Sequence, residues 1–458
     1  MEEMKSNPLG SEKISKLMVK FAVPSIIGMI VSALYNIVDQ LFIGNFVGAL
    51  GNAATNIAFP FSTACIALSL MFGIGGASCF NLNMGRGETK KAPYFVGNSI
   101  FALTVSGIVL MVVTLLFLKP LLLLFGSSKT VLHYAIEYVS ITAIGFPFLI
   151  LTTGGGHLIR ADASPKMAMF CNLLGAVVNI ILDAIFVPLW GMAGAAWATI
   201  IGQILSAIVV IIYLFNFKTV KLKFSHFLPK FKYLTKTASI GMASFINQLA
   251  IMLVIIILNN SLRHYGELSV YGEDIPIACS GIIMKVNQIV FSIVIGLSQG
   301  TQPIESFNYG AKNYARVKNA YKLAIVTGAV ISIVAFAFFQ IFPKEILGLF
   351  GKKNSNLYFE FGVKFFRMFL FFTWLNFIQP ITSTFFTSIG KPVKGIILSL
   401  TRQIIFFLPP LLILPTFFGI NGIFYTGPIA DFMAAVVNIA FIAYEFNLMT
   451  KEQKALQK

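Results

Sequence analysis

Two aspartates lie inside long apolar stretches in the first half of the chain. Asp39 comes five residues before Gly44 in the first apolar stretch, and Asp183 comes five residues before Pro188 in the fifth. A carboxylate at the middle of a membrane helix costs on the order of 2.5–3.5 kcal/mol on insertion scales. Such residues therefore require a partner, water or a function, and the chemistry they offer is the binding of a cation or a proton.

The two aspartates share one depth with a hydroxyl. Thr199 follows Gly194 by five residues, so at ~1.5 Å per residue it lies, like the two acids, about 7–8 Å inside the outer boundary. Three more polar residues continue the same helix faces at four-residue spacing: Asn179, Tyr35 and Gln203. Oxygen ligands at one level suit a hard cation such as Na⁺. Two carboxylates that share a proton also suit a proton carrier, and the sequence leaves Na⁺ and H⁺ coupling open.

The alternative is that these polar residues only hold the first half together. The second half argues against it, because its matching positions carry no acid or amide. They are Phe406, Pro410 and Gly427. We therefore predict a coupling-cation site that comprises Asp39, Asn179, Asp183 and Thr199.

The second half has its own ionisable residues inside apolar stretches: Lys285, Glu305, Arg402 and Asp431. One interpretation is a buried ion pair or triad that fixes this half. The other is a polar patch that faces a cleft and contacts substrate, together with Tyr35 and Gln203. Glu305 lies five residues before Gly310, so it could also be a carboxylate wetted at the cytoplasmic surface.

The composition is that of an integral membrane protein. Mean hydropathy is +0.84, with 57% hydrophobic and 11% charged residues. We count about twelve apolar runs, each long enough to cross ~30 Å of hydrocarbon. The first run is too long for a cleaved signal peptide. We predict an all-α fold with twelve transmembrane helices.

The net charge of +17 reflects the orientation of the chain in the membrane and does not indicate that the protein binds nucleic acid. Most Lys and Arg fall in alternate loops, whereas the loops 42–51, 189–192 and 415–421 carry no charge. This positive-inside bias places both termini in the cytoplasm. The four cysteines all fall in apolar segments without paired, metal-like spacing.

The chain repeats itself. The motif that begins at Asn83 recurs at Asn308, 225 residues later, and Gly191-Met-Ala-Gly recurs as Gly419-Ile-Asn-Gly. The predicted domains are a six-helix lobe at 1–217, a basic cytoplasmic linker at 218–236 and a second six-helix lobe at 237–458. An even number of spans in each lobe makes the repeats parallel, around a central cleft.

Several motifs, in order and spread over nearly the whole chain, resemble the multidrug and toxin extrusion (MATE) family of the bacterial MepA-like type. They are Asp39-Gln-Leu-Phe-Ile-Gly, Arg160-Ala-Asp with Ser164-Pro-Lys, Asn179-Ile-Ile-Leu-Asp, Gly191-Met-Ala-Gly-Ala-Ala and Gly300-Thr-Gln-Pro-Ile. The resemblance implies an antiporter that expels organic cations as Na⁺ or H⁺ enters, by rocking of two lobes. It also implies a coupling cation at the four residues already named. Glu305 departs from the small or apolar residue expected after the last motif.

From this resemblance we expect lipophilic cationic small molecules and membrane lipids as partners. We expect a monomer in the bacterial cytoplasmic membrane and no cofactor beyond the coupling ion. The runner-up function is a lipid-linked oligosaccharide flippase of the same superfamily. A membrane enzyme is disfavoured, because it would need a paired-carboxylate metal motif or a histidine cluster, and the four histidines are scattered.

Overall fold

The structure, a computed structural model, describes residues 7–272, 274–350 and 356–456, and every regular element in these ranges is helical. Residues 1–6 and 457–458, the ends of the predicted lobes, lie outside the described residues. The first half contains α1 Pro8–Ser11, α2 Ile14–Phe46, α3 Ala49–Gly85, α4 Ala92–Leu116, α5 Leu118–Leu124, α6 Lys129–Thr142, α7 Phe146–Ala161 and α8 Pro165–Phe215. The linker contains α9 Phe224–Phe227.

The second half contains α10 Phe231–Glu267, α11 Asp274–Gly310, α12 Tyr314–Ile341, α13 Pro343–Phe350, α14 Asn356–Phe369, α15 Ile378–Ser388, α16 Pro392–Leu400, α17 Leu408–Phe418 and α18 Ile420–Leu456. A π-helical segment, Thr401–Phe407, joins α16 to α17. Short 3₁₀ turns at Ala143–Gly145 and Thr373–Leu375 precede α7 and α15.

Eleven stretches of the described chain are long and apolar enough to cross a bilayer. The longest is α8, whose 51 residues would extend about 77 Å as one helix, far beyond ~30 Å of hydrocarbon. Its backbone leaves the helical region at Gly191, with φ 56° and ψ −127°. Because α8 turns back there and crosses twice, the eleven stretches agree with the twelve predicted crossings.

The echoed glycine motifs form equivalent tight turns in the two halves. Gly419 has φ 57° and ψ −143°, close to the values at Gly191. A Cβ on Gly194 would lie 2.1 Å from the Phe186 carbonyl oxygen, and one on Gly422 would lie 2.5 Å from the Leu414 carbonyl. Only glycine fits these close approaches. The sequence repeat is therefore also a structural repeat.

The hydrophobic cores divide along the chain. One large cluster draws its buried residues from Ile43 to Phe217, and another draws them from Val254 to Ala430. The predicted lobe and linker boundaries stay predictions. Smaller clusters join the two halves: Met18 and Ala22 pack with second-half residues, and Cys79 and Leu82 pack with Ile240.

The two halves cross closely near the end of the bundle that carries Arg86, Lys91 and the linker, which we call the basic end. A Cβ on Gly241 of α10 would lie 1.7 Å from the Met71 carbonyl oxygen of α3. Equivalent backbone approaches occur between α3 and α11 and between α2 and α11. They involve Gly85 with Phe307, Gly310 with Leu82, Gly296 with Ile26 and Gly300 with Ala22, and Gly75 of α3 approaches Thr237 of α10 in the same way.

Hydrogen bonds add to this contact between the halves. Gln302 Nε2 on α11 donates to Ser78 Oγ at 2.9 Å and to the Ile74 carbonyl oxygen at 3.3 Å, both on α3. All of these crossings lie within a few helical turns of the basic end. The halves are thus closed against each other at that end.

The linker is tied down at both ends by buried side chains of the first half. Asp162, between α7 and α8, accepts hydrogen bonds from Tyr213 Oη and from the Lys218 and Thr219 backbone nitrogens at 2.7–2.8 Å. Asn98 of α4 accepts from the Lys230 backbone nitrogen at 2.7 Å. These bonds hold the linker against the basic end.

Candidate functional site

The structure brings the two first-half aspartates together. Asp39 is on α2 and Asp183 is on the first arm of α8, two elements that pack along each other. Their carboxyl groups lie within interaction range of each other. Asp183 is fully buried and Asp39 is 9% exposed. A pair this close needs a shared proton or a cation between its oxygens.

Two oxygens of this pair lack a hydrogen-bond donor. Asp39 Oδ1 and Asp183 Oδ1 are buried and find no hydrogen-bond partner within the described chain. A buried carboxylate oxygen without a donor costs more than the bond itself contributes. A hard cation that accepts oxygen ligands would satisfy both atoms, and so would a proton on one of them.

Asn179 and Thr199 complete this site from the two arms of α8. With the Asn179 amide oriented so that donors face acceptors, Nδ2 donates to Asp183 Oδ2 at 3.1 Å and Oδ1 accepts from the Thr199 backbone nitrogen at 3.2 Å. This bridge is formed because Gly191 folds the second arm of α8 back against the first. All four predicted residues are thus adjacent.

Two tyrosines adjoin the acidic pair. Tyr35, one turn below Asp39, lies within electrostatic range of both carboxyls. Tyr138, on α6, is also near both carboxyls and near the Thr199 side chain. Sequence reasoning missed Tyr138. The available signal was a hydroxyl-bearing residue in the outer part of the fourth apolar stretch.

A small polar cavity continues from this site toward the basic end. Its volume is about 80 Å³, and Tyr35, Asn179 and Gln203 line it. Asn172 and Ser206 line its far end. Asn172 is seven residues from Asn179 and Ser206 is seven residues from Thr199, which corresponds to about 10 Å along each helix. Both predicted neighbours of the acids, Tyr35 and Gln203, therefore face the space beside the site.

In the second half, Arg402 and Asp431 form a buried ion pair. Arg402 Nη2 and Nε lie 2.7 and 3.0 Å from Asp431 Oδ1, and the Asp431 side chain is 3% exposed. The Asn376 side chain lies near the Asp431 carboxylate. Lys285 does not join them: it is exposed on α11 and forms no ion pair within the described residues. Of the ion pair and the triad that the sequence allowed, the structure contains the pair.

Glu305 is not wetted at a surface. It is 2% exposed, and the Ser388 side chain of α15 and Tyr321 of α12 lie near its carboxyl. Its distance along α11 from Gly310 suggested exposure, but neighbouring helices surround this end of α11. The expectation of a surface carboxylate was wrong for this reason.

Breaking the second-half ion pair is expected to destabilise the fold. Arg402→Met leaves the Asp431 charge buried without its partner, which costs about 3–5 kcal/mol. Adding Asp431→Leu should recover most of that loss, because it removes the stranded charge. The free energy of unfolding in detergent measures both effects. Lys285→Met removes an exposed cation and is the matched control; an Arg402→Met variant as stable as this control would contradict the structural role of the pair.

The family model and the relatives that match this chain point to one family. A family model described as MatE matches residues 24–185 and 242–412. The multidrug export protein MepA of Staphylococcus haemolyticus is 26% identical over 450 residues, which cover 97% of this chain and 96% of that protein. MepA of Staphylococcus aureus is 24% identical over 432 residues, covering 94% and 93%.

Solved structures share the fold at 23% identity. A MATE transporter in complex with MaL6 has a TM-score of 0.90 and covers 97% of this chain and 99% of its own. A multidrug resistance MATE family transporter of the MOP superfamily, in an outward-facing conformation, also has a TM-score of 0.90, with 96% and 98% covered. Because the family model spans well over half of the sequence, the chain belongs to the MatE family, the multidrug and toxin extrusion family that its motifs resemble.

Proposed function

We propose that this protein is a cation-coupled antiporter that exports lipophilic organic cations. The observation that carries the proposal is the buried pair of neighbouring carboxyls, Asp39 and Asp183, each with an oxygen that lacks a donor. Membership of the MatE family and similarity to multidrug export proteins support the export function. Asp39, Asn179, Asp183 and Thr199 are the proposed ligands of the coupling cation.

The coupling follows from competition for negative charge. In the state closed at the basic end, Na⁺ or H⁺ from outside neutralises Asp39 and Asp183. Neutral carboxyls attract a bound organic cation less strongly, so the drug leaves and the empty transporter returns. This cycle requires that the ion bind the two conformations with different affinities.

The proposed setting is the bacterial cytoplasmic membrane, with the protein acting as a monomer. The basic end faces the cytoplasm under the positive-inside rule, which places both termini there. The close crossings at that end correspond to an outward-facing state. The protein acts as a transporter, without catalysis of a covalent step.

Efflux from proteoliposomes tests the proposal. The purified protein is reconstituted with a fluorescent lipophilic cation inside, and an inward Na⁺ gradient or an inward proton gradient is imposed separately. We expect efflux that follows one gradient and stops when an ionophore dissipates it. Absence of efflux under either gradient would contradict the proposal.

The second candidate is a flippase for a lipid-linked oligosaccharide. The exposed Lys285 on α11 favours it, because a cation within the membrane-spanning part of the chain would attract a phosphate-bearing substrate. The acidic pair in the first half favours antiport. Translocation of a labelled lipid-linked saccharide without an ion gradient would favour the flippase.

A further inference from the structure

A second and larger cavity opens at the basic end, away from the acidic pair. Its volume is about 560 Å³, and both halves of the protein contribute to its walls. The first half supplies the end of α3 and the start of α4. The second half supplies the start of α10 and the turn at Ile389 and Gly390.

The cavity is lined by an excess of positive charge. Arg86, Lys91, Lys232 and Lys236 line it together with one acid, Glu88. Glu88 pairs with Lys91, whose Nζ lies 3.0 Å from Glu88 Oε2. The other three cations are exposed to the cavity and form no ion pair within the described ranges. Three uncompensated cations in a concave site indicate an anionic ligand.

The wall beside these cations is aromatic and rigid. Tyr233 lines the cavity and stacks on Tyr94, with ring centroids 5.2 Å apart and planes at 8°. Lys230 Nζ lies 4.0 Å from the centroid of the Tyr94 ring. A flat aromatic wall beside these cations suits a ligand that is both charged and partly apolar.

The adjoining linker has the character of a segment that lies at a membrane interface. Phe224 and Phe231 are 83% and 82% exposed. Lys221 and Lys223 precede Phe224, and Lys230 and Lys232 flank Phe231. Aromatic side chains next to lysines favour the headgroup layer of an anionic membrane. The cavity therefore opens at the level of lipid headgroups.

We propose that this cavity binds the phosphate-bearing headgroup of an anionic phospholipid from the cytoplasmic leaflet. Arg86, Lys232 and Lys236 hold the phosphate, Tyr233 covers the glycerol part and the acyl chains lie outside. Because α3 and α10 both contribute to the site, an occupant favours the conformation in which they are apposed. The lipid thus stabilises the state closed at the basic end.

The test is binding to the purified full-length protein in neutral detergent, followed by its thermal unfolding midpoint. Phosphatidylglycerol, phosphatidylcholine with the same acyl chains, and inorganic phosphate are titrated separately. We expect phosphatidylglycerol to raise the midpoint, with weaker binding at high salt, and the other two to have little effect. Each basic side chain near an anionic surface contributes about fivefold in affinity, so Arg86→Gln with Lys236→Gln should weaken phosphatidylglycerol binding about thirty-fold.

The matched control is Lys451→Gln with Lys454→Gln, which removes two exposed cations near the end of α18, outside the cavity. This control should bind phosphatidylglycerol like the unchanged protein. Equal binding by the cavity variant, or equal stabilisation by phosphatidylcholine, would overturn the proposal. Stabilisation by inorganic phosphate at the same concentration would overturn the lipid as ligand and assign a soluble phosphate. The salt dependence of the unchanged protein tests the site even where the variant folds poorly.

Discussion

Replacing either Asp39 or Asp183 by asparagine is expected to abolish gradient-driven export while the protein stays folded. The amide keeps the size of the side chain but removes the negative charge that a cation or proton needs. Mutation of a residue that only supports a metal ligand typically lowers metal affinity or activity about 10–100-fold. Loss of a ligand itself should therefore lower the affinity for the coupling cation by at least about tenfold. Efflux from proteoliposomes under the effective gradient measures the change.

A stability measurement separates this role from a structural one. Two neighbouring carboxyl groups within a low dielectric are unfavourable for folding unless a cation or proton compensates them. Asp39→Asn and Asp183→Asn should therefore leave the thermal unfolding midpoint in ion-free buffer unchanged or higher. Functional sites often carry such a cost in stability. A lower midpoint together with lost transport would indicate that the pair only supports the fold.

Glu137→Gln is the matched control for these two variants. Glu137 is a half-buried acid on α6, beside Tyr138, and it forms no ion pair within the part of the chain that is described. The same acid-to-amide change one residue from the site should leave export intact. Retained export by both aspartate variants would contradict the proposed cation site.

The position of the acidic site was predictable because helix geometry is nearly invariant. A fixed rise per residue, counted from Gly44, Pro188 and Gly194, gives one depth for the residues of α2 and of both arms of α8. This count of residues from the helix ends did not identify Tyr138. It lies nine residues after Lys129, about 13 Å along α6, so depth alone does not place it beside the site. Its contact depends on how α6 packs, which distant residues determine.

The second half shows what spacing within a sequence cannot reveal. Arg402 and Asp431 are 29 residues apart and belong to different elements. Their pairing depends on the π-helical segment that carries Arg402, and propensity does not predict such a segment. Glu305 was misplaced for a related reason. Distance from a helix end gives depth, but burial depends on which neighbours surround that end.

Gly241→Val is expected to shift the protein out of the state closed at the basic end. A Cβ there would lie 1.7 Å from the Met71 carbonyl oxygen, whereas ordinary contacts begin near 3.4 Å. Because both contacting groups belong to helix backbones, no side chain can move aside. The helices α3 and α10 must separate by roughly 1.7 Å or more, and packed interfaces respond to such changes by switching state.

Cys79 offers a native reporter of this opening. It lies on α3, one turn beyond Gly75, and is 2% exposed. Separation of α3 from α10 should expose its thiol, so we expect maleimide labelling of Cys79 to accelerate by at least about tenfold, which corresponds to about 1.4 kcal/mol in the opening equilibrium. Peptide mapping distinguishes this cysteine from the other three. Efflux should fall in the same variant, because the closed state becomes too sparsely populated.

Gly281→Val provides the matched control, since a Cβ on Gly281 of α11 meets no atom within 4 Å. It adds the same side chain to a neighbouring membrane helix and should leave both labelling and efflux unchanged. The comparison isolates the helix crossing from the general effect of valine. Normal efflux together with a protected Cys79 in Gly241→Val would mean that α3 and α10 accommodate the valine without a change of conformational state. Alternating access would then depend on the contacts of α11 with α2 and α3, where Gly296, Gly300 and Gln302 join the halves.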